Sequence, residues 1–560
     1  MKKEIYLFGV LICAFAACTK VPIELAETNA ASNEISAATS TTVYTASLDA
    51  ENPILLNACG YNPRNYMLTE PYSQPHDPNI QLGLVSSKAN IIRYPGGTFA
   101  NYWDYANDRM FQKAETKAAG GWVNSTKVND DPNDAIRKRI ENGITGSNGN
   151  GILVNSVDDL KYAAKGGTSG QVLNVVFHMN MVTPGEDYYE TSIANGGAGW
   201  PNINRSAGTT GWYEMLDDRY ARFKAMLLRA KSGTDPITVR FIELGNEYYF
   251  PITYVVEAFP SGAAHGTAAN YIANKLINDT QLNLTANVRI AATASCKPGG
   301  DTRKSNWNNS LKSTLDRNKV GYVTLHSYEA YVEPSNYTEL NFQTQLVDWY
   351  QKVNASFQNS DADANFIQSA NPWKVWYTEN NANWDGAFDG DPSGEKEWGQ
   401  CLVEAFSVVH LYDRGNAAMN LQFQFNNQVR PDAEIVNGRR LYNRALALKP
   451  FMEATKDATS AARTSFGGTS MPKLPDNTKA VVQGYVFKTS AGTPHCVLIN
   501  LSATDKHVNL ATNIFTSAGT LQKVGYKGSL ASIDPAIIIS TTDTRSDVTL
   551  PPYSVIHFYQ

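Results

Sequence analysis

Two glutamates, each at the end of a short apolar run, are the residues of this chain best placed to do chemistry. Glu247 closes Val239-Arg240-Phe241-Ile242-Glu243-Leu244-Gly245-Asn246-Glu247, and Glu379 closes Trp373-Lys374-Val375-Trp376-Tyr377-Thr378-Glu379. Runs of this length and composition read as strands buried on both faces. A carboxylate at the C-terminal tip of such a strand stands where a (β/α)₈ barrel carries its reactive groups. Two carboxylates facing one bond are the basic equipment for hydrolysing a glycoside.

Elements able to hold them there recur through the chain. Eight strand-like runs follow in order over 54–61, 90–95, 172–178, 238–244, 288–293, 322–326, 374–378 and 417–425. Amphipathic stretches lie between several of them, such as 217–229, apolar at Tyr220, Phe223, Met226 and Leu227, and 398–412. Strands alternating with helices predict a parallel sheet, and eight units predict an α/β fold closed as a (β/α)₈ barrel over 53–448. Beyond 449 the character changes to short alternating runs at 481–487, 496–501, 521–526 and 554–559, with no helix between them. That pattern predicts an antiparallel β-sandwich over 449–560, joined by an N-terminal strand within 42–52. Two long polar connections, 105–150 and 183–212, carry Trp122, Trp200 and Trp212 and follow strands. They are expected at the catalytic face, either as cleft walls or as a cap packed on the barrel.

At Gly245-Asn246-Glu247 and Tyr377-Thr378-Glu379 the chain resembles the clan A glycoside hydrolases, which end their fourth barrel strand in Asn-Glu and their seventh in Glu. Here the fourth and seventh runs end in those residues. The resemblance implies that Glu247 is the general acid/base, Glu379 the nucleophile and Asn246 a ligand of the sugar hydroxyl beside the reacting carbon. It also implies that Arg93 lies beneath the nucleophile, and that His326 and Tyr328 orient the nucleophile or touch substrate. His178 and Asn180 after the third strand, with Asn57 and Gln424, are further cleft candidates. Glu243 shares a strand with Glu247 and is expected to pair with an arginine instead. The segment Arg93-Tyr94-Pro95-Gly96-Gly97-Thr98-Phe99, with Tyr102-Trp103, is similar to the second-strand motif of α-L-arabinofuranosidases and heparanase-like β-glucuronidases. Leu550-Pro551-Pro552-Tyr553-Ser554-Val555 resembles the way their sandwich ends. Tyr248 follows Glu247 where heparanase-like proteins have proline, and Asn380-Asn381 follows Glu379, two departures from the pattern. The activity implied is retaining hydrolysis of a poly- or oligosaccharide. The rival reading is a cell-surface glycan-binding lipoprotein that has lost turnover, and the presence of both carboxylates argues against it.

The remaining features bound the partners. A formal net charge of −5 without a basic block gives no means of neutralising phosphates, so no nucleic acid is expected. Met1-Lys2-Lys3, an apolar stretch over 5–17 and Phe15-Ala16-Ala17-Cys18 resemble a bacterial lipoprotein signal, with Cys18 lipidated and 19–41 a polar tether. The expectation is an exported lipoprotein on the outer membrane or a periplasm-facing surface, held by its lipid alone. Cys59, Cys296, Cys401 and Cys496 are scattered and are expected as buried thiols. His326 has no second His or Cys at ligand spacing, so neither metal nor cofactor is expected. A carbohydrate substrate is the one ligand the chain calls for, and its oligomeric state is left open.

Overall fold

Eight parallel strands close into a barrel in chain order: Cys59–Asn62, Ile91–Tyr94, Asn174–Met179, Phe241–Leu244, Arg289–Thr293, Tyr322–Ser327, Lys374–Asn380 and Ala417–Phe423. The structure, a computed structural model, describes residues 42–62, 78–96, 103–105, 109–110, 157–165, 173–182, 206–250, 253–284, 287–296, 302–382, 396–423, 441–466, 471–533 and 536–560. Cys18, the tether, Gln424, Trp122, Trp200 and most of both long connections lie outside the described residues. Each strand corresponds to one expected run. The first begins at Cys59 rather than at 54, because Asn57 turns the chain with a left-handed φ of 59°.

The helices bury the stripes that their periodicity predicts. Thr210–Lys231 contains the expected 217–229 and starts at Thr209, whose hydroxyl accepts from the Trp212 amide at 3.3 Å. Its buried face runs Trp212, Met215, Leu216, Tyr220, Phe223, Met226, Leu227, at three- and four-residue steps against the barrel. Trp398–Asp413 is buried on almost every side. It is wedged between barrel and second sheet: Trp398 Nε1 donates to the Tyr553 carbonyl at 2.6 Å, and the Gly399 amide to that of Leu530 at 2.9 Å.

The barrel interior is layered. Ile91, Val176, Phe241, Ala291 and Trp376 pack with Ala418, Met419 and Leu421 as an apolar plug separate from the outer core. Phe241 and Trp376 meet edge to face, ring centroids 5.9 Å apart. Two residues further along the first five strands so named stand Arg93, His178, Glu243, Thr293 and Thr378, all buried. A period of two puts each on the inward face, so a polar layer rests directly on the plug.

The second sheet has ten strands. Ala458–Phe466, Val482–Thr489, Pro494–Asn500, Thr520–Lys527 and Ser554–Tyr559 carry most of its antiparallel ladder. Val43–Leu48 pairs antiparallel with Ala458–Phe466 and parallel with Lys506–Asn509, so the N-terminal strand links the two parts of the sheet. The sheet folds back on itself, and the Asn500 side chain donates to the Leu550 carbonyl at 3.0 Å across the fold. Helix Asn443–Ala454 runs through the composition change near 449 and touches both the first barrel strand and this sheet. One continuous core spans barrel exterior and second sheet. Cys59, Cys296, Cys401 and Cys496 are buried thiols, and no disulfide joins them. Among the described residues no helix is long and apolar enough to cross a membrane.

Candidate active site

The buried Arg93 side chain, on the second strand, organises the polar layer. Its Nε donates to Glu243 Oε2 at 2.5 Å, Nη1 to Glu379 Oε1 at 2.5 Å and Nη2 to Asn246 Oδ1 at 2.9 Å. One planar fork therefore ties strands two, four and seven. Burial disfavours the charged guanidinium, but Glu243 and Glu379 together outweigh it and leave the pKa raised. Burial likewise pushes the Glu243 carboxyl up, while Arg93 and His326 more than reverse it and hold it well below the ordinary range. Glu243 is thus the arginine partner expected.

Glu247 is delivered by a tight turn after strand four. Gly245 has φ +85°, and a Cβ there would lie 2.6 Å from the Tyr248 ring. Glu247 itself adopts φ +51°, a conformation that costs a non-glycine residue about 1–2 kcal/mol. The turn is braced from strand three: the Met181 amide donates to the Tyr248 hydroxyl, which donates to Asn180 Oδ1, both at 2.7 Å. Asn180 also bonds Val182 through both ends of its amide. It is buried and supports the turn, which corrects its expected place as a cleft wall. The Tyr249 hydroxyl donates to Glu247 Oε1 at 3.1 Å. Burial, then the charge of Glu247, pushes that phenol well above its ordinary pKa and keeps it a donor.

Glu379 faces the lumen because of a bulge. Leu325 pairs with Tyr377 but His326 with Glu379, so Thr378 is an extra residue. Thr378 points inward, donating to Glu243 Oε1 at 2.9 Å. Glu379 follows it inward to Arg93, and its Oε2 accepts from the Tyr328 hydroxyl. Asn380 returns outward to Ser407 Oγ at 3.0 Å. His326 sits between the two sites: Nδ1 is 3.1 Å from Glu247 Oε1 and 3.6 Å from Glu379 Oε2, while Nε2 lies 3.1 Å from Thr378 Oγ1. Burial opposes its protonation, but Glu379, Glu243 and Glu247 prevail and raise its pKa to about 9. His178 is the opposite case, since burial and then Arg93 depress it to about 3.

One oxygen of Glu247, one of Glu379 and a nitrogen of His326 lie within 4.8 Å of one another. This donor set suits a divalent cation poorly. Arg93 and Tyr328 each donate to a Glu379 oxygen, and the Arg93 cation beside the site repels a second positive charge. Asn246, Arg93, His326, Tyr328, Glu247 and Glu379 are thus brought together as expected, with His178 on the layer beside Arg93. Asn57 is not among them: it lies before strand one, at the opposite end of the barrel, accepting from the Asp457 amide at 2.8 Å. The tip of strand one is Asn62, whose side chain donates to the Thr378 carbonyl at 3.0 Å. Asn62 and Tyr249 were missed. The last residue of the first strand would have pointed to Asn62, had that strand been placed correctly.

No protein-family model and no curated protein sequence matches the chain. Solved structures do. A family 51 alpha-L-arabinofuranosidase from Bifidobacterium longum superposes with TM-score 0.54 at 13% identity, over 92% of this chain and 99% of that one. A family 51 arabinofuranosidase from Xanthomonas axonopodis pv. citri gives TM-score 0.54 at 12% identity, over 92% and 100%. A further arabinofuranosidase structure gives 0.52 at 12%, over 92% and 99%. At such identities the likeness is one of fold, a closed eight-stranded parallel barrel with a mostly antiparallel second sheet.

Proposed function

We propose that the protein is a retaining glycoside hydrolase acting on a poly- or oligosaccharide by double displacement. A carboxylate oxygen of Glu247, just after strand four, lies no more than 4.8 Å from one of Glu379 on strand seven, and this observation carries the reading. Retaining enzymes hold their carboxyl groups about 5–5.5 Å apart, whereas inverting ones need roughly 6.5–9.5 Å to admit a water. Glu379 attacks the anomeric carbon to form a glycosyl ester while Glu247 protonates the departing oxygen. Glu247 then takes a proton from water, which attacks the same carbon and releases Glu379. Arg93 and Tyr328 hold the attacking carboxylate in one orientation. The His326 imidazolium, 3.1 Å from Glu247, stabilises the charge that Glu247 acquires when it gives up its proton.

The architecture shared with solved arabinofuranosidases makes an aryl α-L-arabinofuranoside the first substrate to try, and the second-strand motif makes an aryl β-glucuronide the second. Proton NMR of the first-formed sugar should show retention of configuration; inversion would overturn the mechanism, and inactivity across a broad aryl glycoside panel would overturn the enzyme reading. Glu379→Ala should abolish turnover. Glu247→Ala should lose about 10²–10⁴-fold on poor leaving groups and far less on activated aryl glycosides. We further propose lipid anchoring at Cys18, on the signal-like sequence before it. Incorporation of a labelled fatty acid that disappears in Cys18→Ser would support it.

A further inference from the structure

At the end of the barrel remote from the two glutamates, a cavity of about 590 Å³ opens among residues that begin strands rather than end them. Arg289, Tyr322 and Lys374 are the first residues of strands five, six and seven, and Arg317 and Lys319 join them from the loop before strand six. Among the described residues the lining includes these four cations and no Asp or Glu. Lys319, Arg317 and Lys374 are partnered differently. Lys319 pairs with Asp316 at 3.2 Å. Arg317 donates to the carbonyls of Asn371 and Pro372, and its guanidinium lies over the Trp373 ring at 4.9 Å. Lys374 contacts the Pro53 carbonyl at 3.4 Å, and burial lowers its pKa. Neither Arg317 nor Lys374 meets a carboxylate among the described residues.

Partly desolvated cations without a counter-charge are costly, and a cavity that gathers them raises the local concentration of anions. Its volume lies within the range of small-molecule sites. Ile277, Leu284 and Ile290 give it an apolar side, with the Tyr322 ring beside them. We propose that this mouth binds a small organic anion, a sulfate, phosphate or carboxylate carried on a ring of sugar size. The ring lies against the apolar wall, and the Arg317 fork and Lys374 take the anionic group.

The test is calorimetric titration of the full-length protein at low salt with glucose 6-sulfate, glucose 6-phosphate, glucuronic acid, inorganic sulfate and glucose. One of the three sugar anions should bind with 1:1 stoichiometry and more tightly than inorganic sulfate, and the best of the three identifies the anionic group. Glucose should not bind there. Lys374→Gln and Arg317→Gln should each weaken that binding about tenfold, the scale of one charged hydrogen bond. Glu379→Gln should leave it unchanged, which separates this mouth from the candidate active site. Lys374→Gln should melt no lower than the parent, so lost binding cannot be ascribed to unfolding. Absence of binding by all the sugar anions, equal affinity for glucose, or undiminished affinity in both cation variants would overturn the proposal.

Discussion

Arg93 holds together the residues on which the proposed chemistry depends, and its neighbours decide how the site responds to pH. Removing one partner of a buried charge pair costs about 3–5 kcal/mol, so Arg93→Met should lose that much in urea denaturation as well as activity. Arg93→Lys should not restore turnover, because an ammonium lacks the fork that reaches Glu243, Asn246 and Glu379 together. His326 makes a signed prediction. Its folded pKa of about 9 stands above the ordinary 6.5, so its stabilisation is complete below pH 6.5 and is lost as pH rises toward 9. The urea midpoint of the parent should therefore fall across that window, and His326→Gln should lack this component of the slope. A chelator should leave kcat/KM unchanged, since the proposed reaction needs no metal; loss of activity restored by a divalent ion would contradict that. The residues legible in sequence were those with a motif around them. Asn62 and Tyr249 had none, and Asn57 was mistaken for a cleft residue because a left-handed turn hid where its strand began.

At the scale of the element, a turn and a bulge aim the two carboxylates. Gly245→Ala forces a Cβ into the Tyr248 ring at a positive φ, and a cost of roughly 1–3 kcal/mol is expected, with reduced turnover as Glu247 shifts. The plug beneath them should be equally exacting, so Trp376→Ala should cost about 3–5 kcal/mol by urea denaturation. Simple alternation along strand seven would have turned Glu379 outward, since Trp376 and Thr378 already face the lumen. The extra residue at Thr378 reverses that, and its register depends on strand six, far away in sequence. The motif singles out Glu379, whereas periodicity alone would turn it outward.

For the whole molecule, barrel and second sheet share one core, and the N-terminal strand links the two parts of that sheet. Calorimetry should accordingly show one cooperative transition for residues 42–560, and deleting residues 42–50 should lower its midpoint or split it. Eight barrel strands, their order and the early strand of the second sheet were readable from local pattern, because apolar runs and alternation are properties of neighbouring residues. Ala458–Phe466, rich in Ala, Ser and Thr, and Ile537–Thr544, three isoleucines followed by polar residues without alternation, were not readable as strands. Ala458–Phe466 is fixed by Val43–Leu48, far away in the chain, and by the following strand Val482–Thr489, and Ile537–Thr544 by its hairpin with Thr520–Lys527.

By itself the sequence determined which residues could react and which strand each would end, since both follow from composition and spacing along one segment. The tertiary structure alone decided that an arginine from strand two and a histidine from strand six would meet between those carboxylates. It also decided the basic mouth at the barrel's far end. Charges compensate or accumulate through space, at separations that chain order does not encode.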